Sequence, residues 1–270
     1  MKTKKKISFW KKWWVWASIG VIILSILTGE GGNMGLRMSK DAALEEAEDC
    51  LRYGAYSYEG LIEELNEYRG FTEDAAIYAA DSCGADWNAQ ALKAAETDLK
   101  YGAYSYEGLI ESLEYRLFTA EQAQYAADNC GADWFEQASE AAREIIKYSD
   151  GFSYGSLIER LERDGFTGEQ AIFGVDNCGA DWNEQAVQYA ERMLDYGYYS
   201  YDGVVKLLKQ NDFTEEQAVY GADNCGADWL KQAEKAAEEY GNGFFSDKEA
   251  LKKFLKREGF TEEQIDQALN

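Results

Sequence analysis

The strongest constraint on the fold is a near-identical heptapeptide that occurs four times at intervals of 47 or 48 residues. It reads DSCGADW at 81–87 and DNCGADW at 128–134, 176–182 and 223–229. A fixed period of this size is typical of tandem arrays, in which one small unit recurs and contacts mainly its neighbours. The period therefore predicts an array with one module per repeat.

Two further blocks recur in each unit, and both carry helix-start signals. The first is an aromatic residue followed by serine, a preferred N-cap, with an aliphatic residue four positions further on that would form a hydrophobic staple. The second is Phe-Thr, and in four of its five copies a glutamine three residues after the threonine predicts a capping box. The first-block N-caps are Ser57, Ser105, Ser153, Ser200 and Ser246; those of the second are Thr72, Thr119, Thr167, Thr214 and Thr261.

The heptapeptide combines a helix end with a helix start. Its glycine is suited to the left-handed conformation that ends a helix, and its second aspartate is suited to cap the next one. Glu136 and Glu184 are predicted to complete capping boxes in two copies. The next helix should run to about Tyr101 in the first copy. The glycines are Gly84, Gly131, Gly179 and Gly226, and the capping aspartates are Asp86, Asp133, Asp181 and Asp228.

Each unit thus contains one longer and two short helices, and no stretch alternates like a strand. The prediction is an all-α tandem array of about five helix-turn-helix-like, three-helix repeats after an N-terminal transmembrane helix. The segments are 1–12 (basic, cytoplasmic), 13–29 (transmembrane), 30–41 (linker), 42–90, 91–137, 138–185 and 186–232 (repeats 1–4) and 233–270 (a truncated capping repeat 5).

Charge divides the chain into two unequal parts. Six lysines and no acid lie in residues 1–29, which leaves 21 Lys+Arg against 50 Asp+Glu, a net charge of −29, for the remainder. Such an acidic surface repels phosphate backbones and disfavours nucleic-acid binding. The uncharged run 13–29 is just long enough to cross the hydrocarbon layer, and the lysines before it predict a single-pass cell-membrane protein with a cytoplasmic N-terminus and extracellular repeats.

The cysteine of the heptapeptide has several interpretations. A zinc site needs several thiolates or histidines, but each copy offers one thiol and the chain has no histidine. A catalytic thiol needs a base or a positive field, and the surroundings are acidic. A disulfide remains open, with Cys50 and Cys83 as one candidate pair. The sequence favours a structural corner. It predicts no enzymatic activity, no cofactor, and no catalytic, cofactor-binding or metal-binding residue.

Tyrosine is abundant, with 19 residues. Some are candidates for exposed anchors of a protein interface, since tyrosine is enriched among residues that dominate binding energy. Tyr78, Tyr125 and Tyr220 are instead expected on the inward face of their helices.

The repeated S-Y-x-G-L-I-x-x-L and F-T-x-E-Q-A-x-Y-A-x-D-N-C-G-A-D-W blocks resemble the repeat of the Ltp family over about residues 42–270. These are host cell surface-exposed lipoproteins with helix-turn-helix modules, from Gram-positive bacteria and their temperate phages. Glu30 stands where the family carries its lipid-bearing cysteine, so we expect attachment by the transmembrane helix here.

The resemblance implies superinfection exclusion, in which a surface protein blocks phage DNA injection through contact with the tape-measure protein. The expected partner is therefore a phage injection protein or a surface protein, together with the membrane. The alternative function is a surface scaffold or adhesion module that binds envelope components and has no phage role.

Overall fold

The computed structural model describes residues 39–243 and 247–270, and these contain fifteen α-helices and no β-strand. Each consecutive set of three helices forms one module, with the longest helix first. In chain order the helices are α1 Lys40–Tyr53, α2 Tyr58–Glu63, α3 Glu73–Ser82, α4 Trp87–Tyr101, α5 Tyr106–Tyr115, α6 Ala120–Asn129, α7 Trp134–Lys147, α8 Tyr154–Arg163, α9 Gly168–Asn177, α10 Trp182–Tyr196, α11 Tyr201–Gln210, α12 Glu215–Asn224, α13 Trp229–Gly243, α14 Lys248–Arg257 and α15 Glu262–Ala268. The all-helical repeat prediction is confirmed.

The predicted membrane segment lies outside this part of the chain. Residues 1–29, with the six lysines and the apolar run, and Glu30 are not among the described residues. Among the helices that are described, none combines the length and the apolar character that crossing a bilayer requires.

The buried apolar side chains form five separate clusters, one in each module. In module 2, alanines of α4 and α6 pack against Leu109 and Leu113 of α5. Trp134, at the start of α7, also packs on this cluster, so the tryptophan connects two modules. All four repeat tryptophans are only half-buried, which makes them junction side chains rather than core centres.

The clusters change between each repeat tryptophan and the alanine four residues later: Trp87 packs on the first cluster, and Ala91 belongs to the second. The predicted repeat limits at 90/91, 137/138, 185/186 and 232/233 lie in the corresponding intervals, inside α4, α7, α10 and α13. The fifth module contains three helices and its own buried cluster.

Most predicted caps are formed as local sequence signals require. Four serines of the first block accept a backbone N–H of the first helical turn, and Thr119, Thr167, Thr214 and Thr261 form complete capping boxes. Thr72 occupies the N-cap position of α3 without a side-chain bond. In the fifth copy the N-cap is Asp247, whose side chain accepts the N–H of Glu249. The prediction of Ser246, which lies outside the described residues, was wrong by one position.

The predicted boxes at Glu136 and Glu184 are not formed. The Asp133 and Asp181 side chains each accept the backbone N–H groups at the second and third helical positions, as predicted for N-caps. The Glu136 carboxylate instead pairs with Arg143 Nη2 at 2.8 Å, seven residues along α7. The reciprocal half of the box is therefore missing in the described structure of both helices.

The first module accommodates one extra residue by local unwinding. Ser57 and Thr72 are separated by fifteen positions, whereas Ser105 and Thr119 are separated by fourteen. The structure places a π-helical turn at Glu64–Tyr68, directly after α2. A π-turn absorbs a single insertion without disturbing the flanking helices, so the second block of the module keeps its register.

Neighbouring modules are joined by side-chain-to-backbone hydrogen bonds. The N-cap hydroxyl of Ser105 donates to the carbonyl oxygen of Asp164 in the next module at 2.7 Å. The Ser57 and Ser200 hydroxyls make equivalent bonds. Ser153 differs, because its hydroxyl donates to Ser156 within its own module. The described junctions are therefore similar but not identical.

Leu117 is the one large apolar side chain with a left-handed backbone among the described residues, at φ 64°. A non-glycine residue in this conformation costs about 1–2 kcal/mol. We expect Leu117→Gly to raise the free energy of unfolding by a few tenths to about 1 kcal/mol, because glycine relieves the strain but has a more flexible unfolded state. Thermal unfolding of the variant measures this. Leu117→Ala retains the Cβ atom and should show no gain; an equal gain would remove strain as the cause.

Candidate partner-binding surface

The heptapeptide forms the corner between modules. Each cysteine is the C-cap residue of a short helix, and each following glycine is left-handed, with φ between 67° and 77°. The Cys130 thiol donates to the carbonyl oxygen of Ala127 at 3.3 Å, and the other three repeat thiols make equivalent contacts. The structural interpretation of the corner therefore accounts for its cysteine, glycine and second aspartate.

The five cysteines are free thiols in this structure. The predicted alternative of a Cys50–Cys83 bridge is therefore not formed. Burial is the main cause that raises the pKa of Cys50 to about 11, and it also raises the pKa of Cys225. Within the described residues no group of three or more metal-ligating side chains comes together.

A Tyr–Asp–Trp contact holds each corner against the first short helix. The Tyr58 hydroxyl donates to the first heptapeptide aspartate, Asp81, at 2.8 Å, and its ring meets Trp87 edge-on with centroids 5.6 Å apart. The hydrogen bond to Asp81 is the main cause that raises the pKa of Tyr58. The same arrangement recurs at Tyr106–Asp128–Trp134, Tyr154–Asp176–Trp182 and Tyr201–Asp223–Trp229.

Strongly exposed aromatic side chains recur at the ends of four of the long helices. We call Tyr53, Tyr101, Tyr148 and Tyr196 the helix-end tyrosines; they are 82%, 58%, 62% and 85% exposed. Three have a cationic group beside the ring: Arg52, Lys100 and Lys147 lie 5.9, 5.2 and 5.1 Å from the respective ring centroids. Exposed tyrosines in equivalent places on four modules form a repeated apolar feature on an otherwise acidic protein.

Two of the three tyrosines predicted to face inward do not. Tyr125 and Tyr220 are exposed, and Tyr78 is half-buried with the Lys40 ammonium group 4.8 Å from its ring centroid. The reason is the close helix packing, in which small residues form the inward stripe. In α6 that stripe is Ala123, Ala126 and Ala127, and Tyr125 lies outside it.

A groove of about 390 Å³ opens where modules 2 and 3 meet, between the end of α4 and the second half of α7. Tyr101 and Tyr148 both line it, together with Glu140 and Glu144. Burial, and next the Glu140 carboxylate, raise the pKa of Glu144, while Lys147 opposes the shift. The groove brings two helix-end tyrosines and two acids into one site.

Comparison with known families identifies the repeat. The family described as host cell surface-exposed lipoprotein, Ltp, matches residues 86–130 and 181–225. Each match runs from a capping aspartate to the next heptapeptide cysteine, so the matches coincide with modules 2 and 4. The resemblance to the Ltp family is confirmed over these two modules, about a third of the chain. Neither a curated protein nor a solved structure matches this chain.

Proposed function

We propose, on the premise that this chain carries the repeat of the Ltp family of host cell surface-exposed lipoproteins, that it is a surface-exposed, membrane-anchored protein that binds another protein. Its more specific role in this proposal is to block phage DNA injection by contacting an injection protein such as the tape-measure protein. The observation that carries the proposal is the set of four helix-end tyrosines, displayed at equivalent positions in successive modules.

Exposed tyrosines support binding of a protein partner. Tyrosine offers a large apolar ring and a polar hydroxyl with few rotatable bonds, and it is enriched at protein interfaces. The ends of the long helices present four such rings, each free to be covered by a partner. Tandem copies also raise avidity, because binding through one module holds the partner close to the next.

The charge of the repeats supports the choice of partner class. A net charge of −29 outside residues 1–29 attracts basic proteins and repels nucleic acids. If this protein blocks DNA injection, it should therefore do so by binding a protein of the injection machinery. It would not act by direct capture of DNA.

Expression in a phage-sensitive host tests the proposal. The wild-type chain is expected to leave phage adsorption normal while it lowers DNA injection and plaque number. A variant with serine at all four helix-end tyrosines should restore plaques, because the proposed contact surface is lost. A matched control replaces four other exposed tyrosines by serine and should still protect; these are Tyr68, Tyr115, Tyr125 and Tyr220.

Unchanged plaque numbers across a broad panel of phages would contradict the phage role. In that case, loss of cell-envelope binding by the helix-end variant, with binding retained by the control variant, would favour the alternative function. The protein would then be a surface scaffold or adhesion module. Equal protection by the wild type and both variants would show that the helix-end tyrosines are not the contact surface.

A further inference from the structure

The first junction, between modules 1 and 2, contains a lysine that binds the end of a helix. Lys93 Nζ, on α4, donates to the carbonyl oxygens of Leu51, Arg52 and Gly54 at 3.0, 3.3 and 2.7 Å. The last carbonyls of a helix have no partner within the helix and carry partial negative charge, so they favour a cation. Lys93 supplies that cation from the neighbouring module.

A second cation completes the same junction. Arg116, which follows α5, donates from Nη2 to the carbonyl oxygen of Ala55 at 2.9 Å and pairs through Nη1 with Asp98 at 3.0 Å. Four carbonyl oxygens at the end of α1 and just after it therefore bind side-chain cations of module 2.

The second junction, between modules 2 and 3, has acids at both equivalent positions. Lys93 lies six residues after Trp87, and the residue six after Trp134 is Glu140. Arg116, whose carbonyl accepts the Ser57 hydroxyl, corresponds to Asp164, whose carbonyl accepts the Ser105 hydroxyl.

In the described structure, the end of α4 receives no hydrogen bond of the kind that Lys93 makes to the end of α1. The carbonyls that correspond to those bound by Lys93 belong to Leu99, Lys100 and Gly102. These three residues line the groove of about 390 Å³, together with Glu140. The second junction thus repeats the cation-binding backbone of the first but lacks its cation.

Three basic side chains, Lys100, Arg143 and Lys147, also line the groove, and each lies beside another group. Arg143 pairs with Glu136 at 2.8 Å. Lys100 and Lys147 lie over the rings of Tyr101 and Tyr148, the tyrosines that follow them in sequence. The groove lining therefore carries three cations, each beside another group, together with two carboxylates, Glu140 and Glu144, next to the helix end.

We propose that this groove binds an arginine or lysine side chain of the protein partner, in the place that Lys93 fills at the first junction. The cation would be held by the carbonyl oxygens at the end of α4 and by Glu140 and Glu144. The rings of Tyr101 and Tyr148 border the same groove, with Lys100 and Lys147 beside them. The occupant is thus a basic segment of a protein, which fits the acidic charge of the repeats.

This inference rests on the proposed function, since it specifies the chemistry of the bound partner. The test uses the full chain in detergent and a short rhodamine-labelled peptide of glycine, serine and arginine, with binding followed by fluorescence anisotropy. Glu140→Lys places a fixed ammonium group where the peptide cation is expected to bind. It should weaken binding about tenfold, because it removes a charge-assisted contact and blocks the carbonyls.

Glu121→Lys is the matched control, because it makes the same charge change at an exposed residue of α6, outside the groove. It should weaken peptide binding less than about twofold, since a distant surface charge is screened by salt. Glu140→Lys should in addition raise the midpoint of thermal unfolding relative to Glu121→Lys, because it supplies the junction lysine.

Equal weakening by both lysine variants, or no weakening by Glu140→Lys, would overturn the groove assignment and leave the proposed function standing. The proposed function would be overturned if the wild-type chain neither affected phage nor bound the envelope. A clear difference in peptide affinity between Glu140→Lys and Glu121→Lys would, even then, support the groove as a cation site.

Discussion

Gly151→Ala is expected to separate modules 3 and 4 and to cost roughly 3 kcal/mol of stability at their junction. Gly151 is left-handed, with φ 95°, and an added Cβ atom would lie 2.5 Å from both the carbonyl oxygen of Gln185 and the backbone nitrogen of Tyr189. Both atoms belong to the backbone of α10, which cannot rotate away as a side chain can. Overpacking of about 1–3 kcal/mol adds to a left-handed penalty of about 1–2 kcal/mol.

The same substitution should break a hydrogen bond that joins the two modules. The backbone N–H of Phe152 donates to Gln185 Oε1 at 3.1 Å, and displacement of α10 lengthens this contact. Hydrogen exchange measured by mass spectrometry should show faster exchange in α10 and at the end of α7, and thermal unfolding should broaden into two transitions.

Gly179→Ala is the matched control for Gly151→Ala. Gly179 is also left-handed, with φ 77°, but nothing lies within 4 Å of an added Cβ atom. It should therefore show only the conformational penalty of about 1–2 kcal/mol. If both variants lost the same stability, the contact between Gly151 and α10 would not hold the junction together.

Local signals predicted the helices well because caps act over three or four residues. Four serine caps, four threonine capping boxes and the left-handed glycines are formed where the pattern places them. In the fifth copy the local signals are ambiguous, because Ser246 and Asp247 are both residue types favoured as N-caps. Only the distance to the next block decides between them. Asp247 lies fourteen positions before Thr261, the spacing of modules 2 to 4, and that count was the signal that could have decided.

Tyrosine exposure was harder to predict than capping, because it depends on how closely the helices pack. A Cβ atom on Gly174 would lie 2.7 Å from the backbone of Ala138, which shows that α9 and α7 are nearly in backbone contact. Such packing leaves room for a stripe of small residues alone, so Tyr125 and Tyr220 lie outside it.

The groove depends on two modules meeting in space, which no single repeat encodes. The sequence signal for the groove is a single position of the repeat at which the residue type differs between copies. Six residues after the tryptophan, the four junctions carry Lys93, Glu140, Gln188 and Lys235. A position that differs in charge between copies points to a role specific to each junction, whereas the constant heptapeptide points to the shared fold. Among the described residues, the first junction shows a lysine bound to a helix end, whereas Lys235 is exposed.

Leu161→Ala is expected to unfold module 3 while modules 1, 2, 4 and 5 stay folded. Leu161 is fully buried in α8, where it packs with Leu157, Phe166 and Ala142. Truncation of such a leucine costs about 2–5 kcal/mol through lost burial and the cavity left behind. A cluster of eight buried residues gives the module little stability beyond what this substitution removes.

The region in which hydrogen exchange accelerates distinguishes an array from one cooperative domain. In an array, stability is a sum of module terms and nearest-neighbour junction terms, so hydrogen exchange should accelerate mainly in α7, α8 and α9. Ile172→Ala, at an exposed position of the same module, should change stability by less than about 0.5 kcal/mol. Uniform acceleration across all five modules would contradict the array. It would mean that the junction bonds, such as that from Ser105 to Asp164, couple the modules more strongly than their separate cores stabilise them.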